Sequence, residues 1–240
     1  MAYDVAADIR LDPRIKAILA GIAMEPAGDV DSRETLIAES NSEEARQQAE
    51  LFRSFMEMCD TEEAAPSAGL RIHTEKIISE PDGNSINLQV IRPDNEDTVA
   101  CVYYIHGGGM ASLSCYDGMY RGWGRIIAAN GVAVVMVDFR NCLTPSSVPE
   151  VAPFPAGLND CVSGLRWVVA NAGHLGIDPA RVVVAGESGG GNLTLATGLK
   201  LKQDGELGLI KGLYALCPYI AGQWPAMYGH NAYSPLIRPS

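Results

Sequence analysis

The chain has 240 residues, 47% of them hydrophobic, and a net charge of −11. That is enough apolar material for one sizeable core, and the acidic balance, with no patch of Lys and Arg, excludes nucleic acid and anionic membrane surfaces as natural partners. Met1 to Arg14 carries acids and no apolar core of signal-peptide length, and no run approaches a spanning helix, so the reading is a cytoplasmic protein without membrane insertion.

In chain order, Asp12-Pro13 is a helix cap and first-turn pair leading into Ile15, Ile18, Leu19 and Ile22. Asn41 with Glu44 has the form of a capping box, opening a helix that aligns Ala49, Phe52, Met56 and Cys59 on one face. Thr61 to Gly69 is a linker. Arg71 to Ile78 and Ile86 to Arg92 alternate as two antiparallel strands around the turn Pro81-Asp82-Gly83-Asn84, and they open the sheet. Val99 to Ile105, Val132 to Asp138, Val182 to Ala185 and Leu213 to Cys217 supply buried strands, with helices near Tyr120 to Ala129 and Leu158 to Ala170. Cysteines at 59, 101, 115, 142, 161 and 217 show no metal spacing and sit mainly among apolar neighbours, so buried thiols are expected, with no metal and no cofactor.

Two of these strands end in glycine-framed motifs. His106-Gly107-Gly108-Gly109 follows Val102 to Ile105, and Gly186-Glu187-Ser188-Gly189-Gly190 follows Arg181 to Ala185 and precedes residues apolar at helical spacing. A serine between glycines on a strand-to-helix turn is a nucleophile elbow, in which the glycines remove Cβ atoms that would collide. The elbow leaves the Ser188 hydroxyl exposed above the sheet and the Gly189 amide aimed at a developing oxyanion. Gly108 and Gly109 supply further amides, and His106 with Gly107 supports their loop rather than transferring protons. Either motif alone is also compatible with an ordinary tight turn. A dinucleotide site is not expected, because Gly107, Gly109 and Ser112 miss the third glycine of that fingerprint.

The chain resembles the hormone-sensitive-lipase family of α/β-hydrolases, which includes many bacterial carboxylesterases. Beyond the two motifs, Val137 to Arg140, Phe154 to Cys161 and Gly176 to Arg181 resemble family segments in the family's order. The resemblance implies a mostly parallel sheet with helices on both faces and an N-terminal helical cap, with residues 1–65 as cap segment and 66–240 as core. It implies hydrolysis of small, uncharged, short- to medium-chain esters through an acyl-enzyme on Ser188, with Gly108, Gly109 and Gly189 as oxyanion hole. Within such a cap, Phe52, Phe55 and Met56 either line an acyl pocket or pack against the core. A homodimer is the assembly the resemblance allows, although the family's dimers often use its final strands.

Three departures are visible. The family usually has alanine where Gly189 stands, and Asn141 to Pro153 is longer and differs from its usual pattern. The family's triad runs Ser, then Asp or Glu, then His, whereas after Ser188 only Asp204, Glu206 and His230 follow. The two acids fall at the polar end of a helix, and nothing positioned to orient His230 precedes it, so it is read as a loop residue. Asp160 precedes the serine and is structural. The triad acid and histidine are therefore expected beyond residue 240, with the last two strands also missing. Two alternatives stand beside the esterase: a non-catalytic binder of small hydrophobic ligands on the same fold, and an inactive fragment.

Overall fold

The computed structural model of the protein describes residues 9–14, 16 and 30–220. The chain divides into two compact units, residues 1–31 and 32–240. In the first, Asp12 Oδ1 accepts the Arg14 amide at 2.8 Å. Ile15, Ile18, Leu19 and Ile22 lie outside the described residues.

The second unit begins with helices α1 (Arg33–Ser40) and α2 (Glu43–Glu57). Each starts on a serine whose hydroxyl takes a first-turn amide, Ser32 from Thr35 and Ser42 from Ala45. The cap expected at Asn41 is thus one residue later. Asn41 closes α1 instead, and its Nδ2 donates to the carbonyls of Ile37 and Leu143 at 2.8 and 2.9 Å. Of the expected apolar face only Met56 is buried; Ala49, Phe52 and Cys59 are exposed. Ion pairs hold the end of α2 to the core, Glu57 with Arg121 at 2.6 Å and Asp60 with Arg125 at 2.5 Å.

Residues 60–69 are irregular, as expected of a linker. Six strands follow, β1 (Leu70–Ser79), β2 (Asn84–Pro93), β3 (Val99–Ile105), β4 (Ala133–Asp138), β5 (Ile177–Glu187) and β6 (Gly212–Leu216), in the order β1-β2-β4-β3-β5-β6. β1 and β2 are antiparallel to each other, β2 is antiparallel to β4, and the other pairs are parallel. Helices α3 (Gly118–Ala128), α4 (Ala156–Ala170), the short α5 (Ala172–Leu175) and α6 (Gly189–Gln203) connect them. β4 is buried at every position, as its valine-rich run requires of a parallel strand covered on both faces, whereas β1 alternates because one face stays open.

The period of two along β3 divides the core. Tyr103 joins Val135, Leu165 and Leu193 on one face, and Tyr104 joins Met136, Ala185, Tyr120 and Met56 on the other. Each such large apolar side chain contributes about 1.5–3 kcal/mol when fully buried. Asp160, wholly buried in α4, accepts from Ser79 Oγ at 2.6 Å and from the Arg140 amide and Nε at 2.9 Å each, so its task is to tie β1, α4 and the segment after β4 together. All six cysteines are free; Cys101, Cys115 and Cys161 are buried as expected, while Cys59 and Cys217 are exposed. Burial pushes the Cys101 thiol up to about 12.

Candidate active site

The parallel strands end level with one another. Ile105 pairs with Val137 on one side and Gly186 on the other, and Glu187 pairs with Leu216. This register sets His106, Asp138 and Ser188 along one carboxyl edge of the sheet, where parallel α/β sheets bind ligands. The four non-glycine residues of positive φ among those described, Met110, Leu113, Ser188 and Cys217, all belong to loops leaving that edge. Such strain persists only where surrounding contacts enforce it, and it concentrates at functional sites.

Ser188 has φ 54° and ψ −119° and sits directly before α6. Its backbone is held from three directions: its amide donates to the Leu216 carbonyl at 3.0 Å, and its carbonyl accepts from the Asn192 amide at 3.0 Å and the Tyr219 amide at 2.9 Å. The flanking glycines are required by close approach. A Cβ on Gly186 would lie 2.5 Å from the Gly190 carbonyl oxygen and 2.6 Å from that of Ile105, and one on Gly190 would fall on the Ile105 oxygen.

Gly108 and Gly109 adopt φ of +91° and +64°, a region that side chains rarely enter. Their loop lies against the elbow, so that a Cβ on Gly189 would stand 2.8 Å from the Gly109 nitrogen and Cα and from the Met110 nitrogen. Among the described residues the amides of Gly108, Gly109 and Gly189 donate to no protein acceptor. His106 is wholly buried and stacked on Phe139 at 4.3 Å. Its Nδ1 lies 2.9 Å from the Gly107 carbonyl, an acceptor, so Nδ1 carries the proton and Nε2 faces Asp138 at 3.8 Å. Burial holds the imidazole below its ordinary pKa, against the opposing pull of Asp138. Asp138 is fixed in turn by Ser114 Oγ at 2.7 Å and the Ser147 amide at 2.7 Å.

No other histidine among the described residues approaches this edge as a base. His73 and His174 both pair with Glu75 of β1, at 3.3 and 3.4 Å. Asp204 and Glu206 bind Arg166 at 2.7 Å each, beyond the far end of α6. His230 lies outside the described residues. The motifs did not reveal a hydrogen-bonded set around Glu187, in which Tyr120 and Tyr104 donate to its carboxylate at 2.7 and 3.2 Å. The available signal was a carboxylate at the end of a buried strand, which requires partners.

A cleft of about 900 Å³ opens beside the glycine loop. Its walls are Asn41 and α2 (Arg46, Phe52 and Arg53), the loop itself (Gly108, Ser112, Leu113) and Thr144 to Ser146, from the segment that departs from the expected pattern. The walls are cross-tied: Cys142 and Thr144 donate backbone bonds to the carbonyls of Met110 and Ala111 at 2.9 Å each, and Arg33 Nη2 donates to the Cys142 carbonyl at 3.0 Å. Phe52 thus lines the cleft, Met56 packs into the core, and Phe55 does neither.

The model of a family described as alpha/beta hydrolase fold matches residues 102–236. Among curated proteins, the carboxylesterase NlhH of Mycobacterium tuberculosis is 40% identical over 104 residues, 42% of this chain and 30% of the relative. Esterase LipI of the same organism is 32% identical over 127 residues, 52% of this chain and 36% of the relative. Among solved structures, esterase Est22 is 62% identical with a TM-score of 0.89, covering 94% of this chain and 65% of that one. Brefeldin A esterase, a bacterial homologue of human hormone sensitive lipase, is 34% identical with a TM-score of 0.73, covering 90% and 59%. The chain thus spans less than two thirds of the length of each of these proteins. No helix among the described residues is long and apolar enough to cross a membrane.

Proposed function

The chain belongs to the α/β-hydrolase fold family, and on that premise we propose that it carries the nucleophile and oxyanion hole of a serine carboxylesterase acting on small, uncharged, short- to medium-chain esters. One observation carries the reading: a serine of positive φ at the end of β5 lies beside a glycine loop, and the amides of Gly108, Gly109 and Gly189 find no acceptor among the described residues. In this reading Ser188 Oγ attacks the ester carbonyl while a histidine outside the described residues takes its proton. The carbonyl electrons move onto oxygen, which the three amides and the positive end of α6 stabilise; each donor of this kind is worth about 10²–10³ in kcat. Collapse releases the alcohol with the histidine's proton, and water then repeats the sequence on the acyl-enzyme to free the acid.

The esterase names of the relatives support this substrate class. The cleft between α2 and the glycine loop supports a cap role for the α1–α2 part of the proposed 1–65 cap segment, with Phe52 as a wall of the acyl site. Six free thiols support a reducing compartment, and a cytoplasmic location is part of the proposal. The test is Ser188→Ala, assayed with a short-acyl nitrophenyl ester and a fluorophosphonate probe, on this chain and on the full-length gene product. Turnover and labelling are expected to vanish with the substitution; turnover that survives it removes Ser188 as nucleophile.

A further inference from the structure

The residue between Gly186 and Ser188 is usually passed over in reading such an elbow, but here it reaches across to the other motif. Glu187 Oε1 accepts from Tyr120 Oη at 2.7 Å and Oε2 from Tyr104 Oη at 3.2 Å, while Tyr120 Oη also lies 3.0 Å from the Gly107 amide nitrogen. An amide only donates and a tyrosine hydroxyl has one proton. The direction is therefore fixed: Gly107 N–H to Tyr120 oxygen, Tyr120 O–H to carboxylate. Burial first, and the Glu187 charge second, hold both phenols well above their ordinary pKa, so they remain donors. The approach is close enough that a Cβ on Gly107 would fall on Glu187 Oε1. On the other side of the same residue, His106 Nδ1 holds the Gly107 carbonyl at 2.9 Å. Gly107 is thus gripped at both its backbone groups immediately before the loop that lies against the elbow.

From this geometry we infer that Glu187 and Tyr120 are positioning residues for the oxyanion loop: the carboxylate beside the nucleophile sets, through one phenol, the attitude of the Gly108 and Gly109 amides. The inference rests on the esterase reading for its catalytic consequence, but the loop tether itself does not depend on it. The design gains from having the tether on the last residue of β5 and the nucleophile on the next, because any displacement of the strand end carries the serine and the donors together. Misplacing donors by a fraction of an ångström costs rate rather than ground-state binding.

The experiment compares wild type, Tyr120→Phe and Glu187→Gln in the full-length protein, by two readouts. The first is hydrogen–deuterium exchange over residues 106–113. Tyr120→Phe is expected to speed exchange there by at least tenfold and leave the β4 amides unchanged; wild-type exchange in the loop overturns the tether. The second is nitrophenyl ester kinetics. The expected result is a fall in kcat of about ten- to a hundredfold with KM within about twofold, and a smaller fall for Glu187→Gln, which keeps one acceptor oxygen. Wild-type kcat, or a loss confined to KM, overturns the positioning role. Should wild type itself lack Ser188-dependent turnover, the esterase reading fails and the exchange readout still decides the tether.

Discussion

Gly189→Ala tests the packing of the glycine loop on the elbow. An added Cβ would stand 2.8 Å from Gly109 N, Gly109 Cα and Met110 N, and all three are backbone atoms that no rotamer change can move. Ordinary contact begins at about 3.4 Å, so the glycine loop must withdraw by roughly 0.6 Å. A donor set about 2.9 Å from an oxyanion then stands at about 3.5 Å, past useful hydrogen-bond length. Losing one donor outright costs about 10²–10³ in kcat, and partial withdrawal is expected to cost about tenfold, or ~1.4 kcal/mol of barrier. Stability should fall as well, since the displaced atoms are backbone and overpacking costs about 1–3 kcal/mol, more than the up to about 1 kcal/mol by which a helix favours alanine over glycine. The assay is the rate of Ser188 acylation by fluorophosphonate and nitrophenyl ester, beside thermal unfolding. An unchanged acylation rate in a folded variant refutes the close packing of loop on elbow. Alanine at this place, usual in the family the sequence resembles, then fits only a loop that sits farther out.

Asp160→Ala is expected to lower unfolding free energy by at least about 2 kcal/mol, because it removes the buried acceptor of Ser79 Oγ and of the Arg140 amide and Nε, each unsatisfied donor costing about 1–3 kcal/mol, while Asp82 and Glu150 keep their pairs with the guanidinium; urea denaturation reads this, and a loss under about 1 kcal/mol contradicts it. His106 has a folded pKa below its ordinary 6.5, with Asp138, Glu187 and Asp117 facing it. A depressed histidine favours the native state above its unfolded pKa, and that contribution is lost as pH falls below about 6.5. Denaturant midpoints between about pH 7 and 5.5 should therefore decline in wild type and decline less in His106→Asn.

Strands β1 to β4 and the strand-to-helix turn at Ser188 were legible because their sequence patterns are local. β3, β4 and the second half of β5 are largely buried and read as unbroken apolar runs, and the spacing of Gly186, Ser188 and Gly190 is itself local, although the contacts that require those glycines come in part from Ile105 and His106, far away in sequence. β5 was read too short, since its first half, from Ile177 to Arg181, is largely polar and joins the sheet across an irregularity at Val99 to Cys101. α1 escaped notice because it buries no residue and has no apolar stripe, although Ser32 stood at its start. The Asn41 reading missed by one because Ser42 caps equally well and Asn41 had a distant use, the Leu143 carbonyl. Distance in sequence also hid the Glu187 set, whose partners lie 67 and 83 residues away.

The grip on Ser188 has a mechanical side. Two of its three backbone bonds come from β6 or the residues just after it, through the Leu216 carbonyl and the Tyr219 amide. A strained serine costs of order 1–3 kcal/mol, and each of those bonds returns about 0.5–1.5. Strand β6, paired with the end of β5, therefore acts as the latch on the elbow. Loosening of β6 against β5 would let the serine relax first, so loss of reactivity should precede loss of the fold as the protein is heated.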